Sequence, residues 1–227
     1  GYVAAGKEAA RFLIEKGVPA SRIRCATNAV DTEKLKEAAT TWRPHRASIK
    51  ASLGIPPQAF VFLYVGQFIA RKRVQETMAL LEAAAAERPV HLILAGSGPL
   101  EQALREQAKA CRGLTTSFTG FVEDDTLWRL YAAAHALILL SDDEPWGMVI
   151  SEALAFGLPF LATNTVAAAV EFSEFGVVCR DLGEAASELH TVLGKSVACE
   201  LDGLRDTRQQ QLATPESWAR ELTEALS

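Results

Sequence analysis

Two carboxylates near the middle of the chain flank a short apolar segment and are well placed for chemistry. Glu144 and Glu152 are separated by seven residues, and Gly147 stands between them. A glycine here favours a helix start, whose first N–H groups carry partial positive charge and suit a phosphate. The carboxylates suit hydroxyl groups instead, because hydroxyls donate hydrogen bonds to anions. A nucleotide-sugar fits such a site, but an ordinary loop acid at Glu144 and a solvated helix position at Glu152 account for the residues equally well.

The start of the helix near Gly147 is the expected anion-binding part of this site. The first N–H groups, those of Gly147, Met148 and Val149, have no partner within a helix and would face a phosphate. The apolar runs at 136–140 and 159–163 flank the loop and the helix, so the segment reads as a strand, loop, helix and strand of a parallel sheet. Ligands of such sheets bind at the carboxyl ends of the strands, where this helix begins.

Three consecutive cations, Arg71, Lys72 and Arg73, follow the apolar run 60–66. Charge runs of this kind are usually solvated turns. At the carboxyl edge of a parallel sheet, however, cations can face an anionic ligand, so the same residues are candidates for a phosphate clamp. The sequence leaves both interpretations open.

The elements that must position these residues follow one pattern. Between residues 60 and 178, apolar strand-like runs alternate with helical segments five or six times. This predicts an α/β fold with a Rossmann-like parallel sheet and helices on both faces. Gly96 and Gly98 follow one predicted strand and hint at a dinucleotide site, but Glu101 occupies the position of the third glycine.

The spacing of the two glutamates, with the segment Glu-Ala-Leu-Ala-Phe-Gly-Leu-Pro that closes the unit, resembles the retaining glycosyltransferases of family 4, within glycosyl transferases group 1. The resemblance covers most of the chain. It implies the donor-binding, C-terminal half of a GT-B fold, in which two α/β domains face each other across a cleft. It also implies that Glu144 holds donor-sugar hydroxyls and that Glu152 accepts hydrogen bonds from the ribose.

The resemblance assigns further residues to the donor. Lys72 matches, by its spacing from Gly66, a lysine that contacts the pyrophosphate, and with Glu144 it is the candidate catalytic pair. Gln67 replaces the arginine usual in the family, and Arg71 is a candidate to restore that charge. The resemblance also implies that Gly96 and Gly98 approach the ligand with their backbone and that backbone groups at Val122 contact the base. Gly66, which opens the loop after its strand, is a further donor-binding candidate.

The resemblance also divides the chain. Residues 1–45 are expected to be a remnant of the N-terminal domain with the interdomain connector, and residues 46–227 the donor-binding domain with a C-terminal helix. Asn28-Ala29-Val30-Asp31 is similar to the segment at which family members cross between domains, although Ala29 departs from their glycine. Because the chain starts at Gly1 without a methionine, we expect a fragment that binds donor but transfers little sugar by itself.

The implied reaction is transfer of a sugar, with retention, from a UDP- or GDP-sugar to a glycan, a lipid or another acceptor bound through the N-terminal domain, as in polysaccharide biosynthesis. No metal or other cofactor is expected, because the protein cations and the helix dipole take the place of magnesium. Three alternatives stay open: a GT-B sugar-nucleotide epimerase, a dinucleotide oxidoreductase, and a non-catalytic nucleotide-sugar sensor or scaffold.

Composition argues against several other classes of protein for this chain. The chain has 28 acidic and 23 basic residues, and this balance argues against a general nucleic-acid binder. No apolar run reaches the length of a membrane span, and no secretory signal is visible. The four scattered cysteines are typical of reduced thiols rather than a disulfide framework or zinc site. We therefore expect a cytoplasmic protein, and a peripheral position at the inner membrane face in the full-length protein is compatible with this.

Overall fold

The computed structural model describes residues 1–26, 28–198, 214, 217, 219, 220 and 223. Its central feature is a parallel sheet of six strands in the order β5-β4-β3-β6-β7-β8. The strands are β3 (Phe60–Val65), β4 (Val90–Ala95), β5 (Leu114–Gly120), β6 (Ala136–Leu139), β7 (Phe160–Thr163) and β8 (Val177–Cys179). The predicted Rossmann-like α/β sheet is therefore confirmed.

The four central strands are buried on both faces. Every residue of β4, β6 and β7 is buried, as are all residues of β3 except Val65. Their sequences are nearly continuous apolar runs because neither face of such a strand meets water. This pattern is what makes these strands visible in the sequence.

Helices cover both faces of the sheet. The helices packed around the sheet are α2 (Thr32–Trp42), α3 (Arg46–Ser52), α4 (Val74–Ala85), α5 (Glu101–Ala110), α6 (Asp124–Ala133), α7 (Met148–Ala155), α8 (Ala167–Glu171) and α9 (Leu182–Ala198). One layer contains α4 with α5 and α9, and the other contains α6 and α7 with α2, α3 and α8. Crossovers between parallel strands are right-handed, so the direction in which the chain moves across the sheet decides which face each helix covers. The chain moves one way from β3 to β5 and the opposite way from β5 to β8, and the helices therefore form two layers.

The strand order reverses between β3 and β6. From β3 the chain continues to β4 and β5 on one side, and it returns to place β6, β7 and β8 on the other. Open α/β sheets bind ligands beside the carboxyl ends of strands at such a point, because the loops there diverge and leave a crevice. The loops that follow β3 and β6 carry Lys72 and Glu144.

The N-terminal segment forms its own pair of parallel strands, β1 (Tyr2–Ala4) and β2 (Ile23–Cys25), joined through helix α1 (Lys7–Glu15). The start of α1 is set by the glycine that precedes it. Gly6 has φ +95°, outside the helical range, and so the helix begins one residue later.

Helix α6 begins with two carboxylates, Asp124 and Asp125, and neither caps it. Helix α6 follows Glu123, and no side chain caps its N-terminus. The two carboxylates have partners on α2 instead: Asp124 pairs with Lys34 at 3.4 Å, and Asp125 accepts a hydrogen bond from Trp42 Nε1 at 2.9 Å. Both interactions join α6 to α2.

The predicted C-terminal helix, expected to open near Thr214, falls mostly outside the described residues. Among those described there, Ser217 is helical and its N–H donates to Thr214 Oγ1 at 3.1 Å. The proposed domain boundary at residues 45 and 46 stays a prediction. None of the helices in the part of the chain that the structure describes is both long and apolar enough to cross a membrane.

Candidate functional site

The loop after β3 and the loop after β6 are joined by charged side chains. Three consecutive cations of the first loop pair with three consecutive carboxylates of the second. The pairs are Lys72–Glu144, Arg71–Asp143 and Arg73–Asp142. The cations predicted to lie at the carboxyl edge therefore do lie there, and each already has a carboxylate partner.

Lys72 is the most enclosed of these cations. It is 7% exposed, and its ammonium contacts Glu144 Oε2. Burial lowers the pKa of Lys72, Arg71 lowers it further, and Asp143 opposes the change. An ammonium has three N–H donors, so Lys72 can keep Glu144 and still donate to a phosphate oxygen.

Arg71 lies against the loop after β6, and its part in a phosphate clamp stays a prediction. Its guanidinium donates to the backbone oxygen of Asp143 at 2.9 Å and lies 3.7 Å from the Asp143 carboxylate. Its charge thus lies beside the β6 loop, while Gln67, in the same loop after β3, is exposed. Arg71 consequently supports the loop that carries Glu144.

Backbone and hydroxyl groups hold the β6 loop in place. The Asp142 N–H donates to Arg71 O at 2.7 Å, which ties the two loops together. The Thr163 hydroxyl, at the end of β7, donates to Ser141 O at 2.6 Å, and the Thr165 hydroxyl donates to the same oxygen. The position of Glu144 is therefore set by three neighbouring strand ends.

Helix α7 begins beside this loop, as predicted. Gly147 precedes it with φ +93°, a conformation that favours glycine. A Cβ at Gly147 would lie 2.8 Å from Val166 Cγ1 and 3.3 Å from Glu144 Cγ, so there is also little space for a side chain. Met148 is 38% exposed at the first helical position, and Val149 follows it. The first N–H groups of the helix thus lie next to Glu144.

Glu152 lies one turn further along α7 and is mostly buried. Its Oε2 accepts a hydrogen bond of 2.7 Å from the hydroxyl of Tyr131 on α6. Burial raises the pKa of Glu152, and the Tyr131 hydrogen bond opposes this rise. Local sequence patterns do not indicate this contact, because Tyr131 and Glu152 belong to different helices.

A cavity of about 410 Å³ lies at the ends of β3, β4 and β5. Five predicted donor-side residues line it together: Gly66, Gln67, Gly96, Gly98 and Val122. Phe121, which is 73% exposed, lines the same cavity and was not singled out in the sequence. This cavity and the Lys72–Glu144 pair lie along one edge of the sheet and share the loop after β3.

The floor of this cavity is made of closely packed backbone. A Cβ at Gly96 would lie 1.9 Å from Gly66 O, and one at Gly98 would lie 2.5 Å from Phe68 O. The Phe68 N–H donates to Ser97 O at 2.9 Å, and the Leu100 N–H donates to Phe68 O at 3.1 Å. The two glycines therefore allow the loops after β3 and β4 to meet, which shapes the cavity that a ligand could enter.

The sequence of the chain is similar to known glycosyltransferases. The family model described as "Glycosyl transferases group 1" matches residues 45–179. The glycogen synthase of Mycobacterium tuberculosis is 33% identical over 144 residues, which are 61% of this chain and 35% of that protein. A mannosyltransferase of Xanthomonas campestris, named for GDP-mannose and cellobiosyl-diphosphopolyprenol, is 29% identical over 208 residues, covering 88% of this chain and 51% of that protein.

The matched family model spans more than half of the chain, and this decides the family. The chain belongs to glycosyl transferases group 1.

Solved structures agree with this family in fold. HepE of Anabaena in complex with UDP has a TM-score of 0.78 at 21% identity, covering 99% of this chain and 62% of that one. A glycosyltransferase from Rickettsia africae has a TM-score of 0.78 at 15% identity, with 98% of this chain and 61% of that one covered. This group 1 chain spans about a third of the length of the first curated relatives and about three fifths of these structures.

Proposed function

We propose that this chain is the donor-binding half of a retaining glycosyltransferase of family 4, and that it binds a nucleoside diphosphate sugar at the reversal of strand order. The observation that carries the proposal is the meeting of Lys72 and Glu144 beside the start of α7. A cation, a carboxylate and free helix amides at one strand edge suit a ligand that combines phosphates with hydroxyl groups.

The diphosphate is assigned to Lys72 and the first turn of α7. The amides of Gly147, Met148 and Val149 supply partial positive charge, and Lys72 supplies a full charge that burial keeps from water. As the bond to the sugar breaks, negative charge grows on the leaving nucleoside diphosphate. Groups already aimed at that charge stabilise the transition state more than the ground state.

The two glutamates are assigned to the two ends of the donor. Glu144, held by Lys72 at the mouth of the crevice, accepts hydrogen bonds from the sugar hydroxyls near the reacting carbon. Glu152 accepts hydrogen bonds from the ribose, and the base enters the cavity beside Gly96, Gly98 and Val122. In this arrangement the donor lies along the carboxyl edge of the sheet, with its base near the end of β5 and its sugar near the ends of β6 and β7.

The relatives suggest which donors to test. HepE was solved with UDP and with UDP-glucose, and the Xanthomonas relative is named for GDP-mannose. We therefore expect a UDP- or GDP-sugar. Because the chain spans only part of these proteins, we expect it to bind donor with little transfer by itself.

Calorimetric titration of this chain with UDP, GDP, UDP-glucose and GDP-mannose tests the proposal. At least one nucleotide should bind, and Glu152→Ala should weaken it. The titration repeated with EDTA should give the same affinity, since protein groups alone are proposed to hold the diphosphate. Binding of none of the four, with NADH binding instead, would contradict the proposal and favour a dinucleotide enzyme.

Assays of the complete protein would distinguish sugar transfer from the remaining alternatives. Incubated with the donor that binds, it should need an acceptor for turnover, because the sugar must have a destination. Conversion of the donor to its epimer without an acceptor would identify an epimerase. Binding without any turnover across acceptor classes would favour a nucleotide-sugar sensor.

A further inference from the structure

The hydroxyl of Tyr131 is buried against the candidate ribose-binding carboxylate. Tyr131 lies on α6 and is 0% exposed, and its hydroxyl donates to Glu152 Oε2 at 2.7 Å. The only other acceptor near this hydroxyl among the described residues is Val149 O, at 3.5 Å. The short contact makes Glu152 its principal partner.

Packing explains the ring of Tyr131 but not its hydroxyl. The ring stacks on Phe156 with centroids 5.3 Å apart and planes 25° apart, a contact that phenylalanine would make as well. Removing a hydroxyl from water is unfavourable unless the hydroxyl forms a hydrogen bond. The hydroxyl therefore points to a role in holding Glu152.

We propose that Tyr131 is a positioning residue, which holds the Glu152 carboxylate in one orientation and presents its other oxygen to the ribose hydroxyls of the donor. This rests on the proposed function, which assigns Glu152 to the ribose. A carboxylate has two oxygens, and Tyr131 occupies Oε2, so Oε1 is the oxygen that it leaves to the ligand. A carboxylate held in this way loses less rotational freedom when the ribose binds.

The charge states of the pair agree with these roles. Burial, and next the neighbouring Glu152, raise the pKa of Tyr131 well above its usual value, so its hydroxyl stays a donor. Burial raises the pKa of Glu152, and the hydrogen bond from Tyr131 works against that rise. Without the hydroxyl, Glu152 would take up a proton at a higher pH and lose the charge that attracts ribose hydroxyls.

The variant Tyr131→Phe tests the proposal by titration with UDP and with 2′,3′-dideoxy-UDP. Wild-type protein should prefer UDP, and the variant should lose roughly tenfold in UDP affinity and most of that preference, as expected for one hydrogen bond to a charged group. The acid limb of UDP binding should also move to higher pH. The control Thr77→Val removes another fully buried hydroxyl, which donates to Arg73 O at 2.8 Å, and should change neither the preference nor the pH profile.

The outcomes separate this inference from the function on which it rests. If wild-type protein binds UDP and the dideoxy nucleotide equally, the assignment of Glu152 to the ribose fails. If the wild type discriminates and Tyr131→Phe discriminates equally at an unchanged pH profile, only the role of Tyr131 is overturned. An equal loss of affinity for both nucleotides would mean a purely structural role and would also overturn it.

A measurement on wild-type protein tests the same inference without depending on correct folding of the variant. The Tyr131 hydroxyl is shielded from solvent, so its proton should exchange slowly enough to give a resolved NMR resonance. That resonance should shift when UDP binds and shift much less with 2′,3′-dideoxy-UDP. Equal shifts with the two nucleotides, or no shift with either while both bind, would contradict the inference.

Discussion

Lys72 and Glu144 form an ion pair with each other. Any ligand at this site therefore meets a lysine and a carboxylate that are already partnered. Lys72 is almost fully enclosed, and Glu144 keeps 19% of its side chain exposed. The pair keeps Glu144 at the crevice, and the remaining N–H groups of Lys72 can still donate to the proposed phosphate. The spacing from Gly66 predicted the position of Lys72, but the pairing joins residues on separate loops and could not be inferred locally.

Replacing Lys72 by methionine should weaken the binding of UDP or GDP by about tenfold or more, because a charge-assisted hydrogen bond to phosphate is lost. Calorimetry measures this directly. The matched control is Lys36→Met, which removes a partly exposed lysine paired with Glu33 on α2 and should leave affinity unchanged. Equal affinity of the Lys72 variant and wild type would remove Lys72 from the site.

Two histidines near the amino ends of the strands should make stability depend on pH. Burial, then the neighbouring cations, lower the pKa of His135 to about 3, and burial lowers the pKa of His91 to about 4. The His135 Nδ1 accepts a hydrogen bond from the Val61 N–H at 2.9 Å, which requires the neutral ring. Both groups are therefore expected to stay neutral in the native state at pH values where the unfolded chain is protonated.

As the pH falls below about 6.5, the unfolded chain takes up protons that these native imidazoles do not, so each should cost up to about 1.4 kcal/mol of stability per pH unit. The loss from His135 should continue to its folded pKa of about 3. Urea unfolding between pH 7.5 and 4.5 should show a shallower pH dependence for His135→Asn, whose side-chain oxygen can still accept from Val61. An identical slope in the variant would mean that His135 is protonated in the native state.

At the scale of elements, the buried strands were the most predictable part. The apolar run at 90–95 predicts β4, and Val90–Ala95 is the strand observed. Strand β1 was missed because its three residues gain strand structure only by pairing with β2, some twenty positions along the chain. The helix start at Lys7 was missed for a related reason, since Glu171 of α8 accepts its N–H.

Helix α1 should depend on this distant carboxylate. Glu171 accepts the Lys7 N–H at 2.9 Å and pairs with the Lys7 ammonium at 3.2 Å. Glu171→Ala should destabilise the helix by about 1 kcal/mol, the usual effect of losing an N-terminal cap, and should speed hydrogen exchange in residues 7–15 several-fold. Glu174→Ala, at an exposed neighbouring carboxylate, should leave exchange unchanged; equal acceleration by both variants would contradict the capping role.

The junction between the loops after β3 and β4 should not tolerate a side chain at Gly96. Gly96→Ala would place a methyl group 1.9 Å from Gly66 O, so the loops would have to separate. We expect a loss of about 2 kcal/mol or more in unfolding free energy, measured in urea, together with weaker nucleotide binding. Gly183→Ala, at the start of α9, is the control and should be close to neutral. Wild-type stability of the Gly96 variant would show that the loops are not tightly joined.

For the whole molecule, the alternation of strands and helices in the sequence was enough to predict a parallel sheet. A parallel sheet in turn brings the loops at the carboxyl ends of its strands to one edge. The sequence predicted that residues after β3, β4, β5 and β6 would gather at one edge, and Gly66, Gly96, Gly98 and Val122 do line one cavity there. The pairing of each cation after β3 with a carboxylate, and the Tyr131–Glu152 bond, come from tertiary packing and had no signal in local periodicity.

The proposed function requires a nucleotide to bind along the carboxyl edge of the sheet, where the strand order reverses. Amide NMR spectra of the chain, recorded while UDP or GDP is added, test this most directly. The largest shifts should fall on the residues assigned to the donor: Gly66, Gln67, Gly96, Gly98, Val122, Gly147, Met148 and Val149. Shifts confined to another surface, or unchanged spectra with both nucleotides at millimolar concentration, would contradict the account.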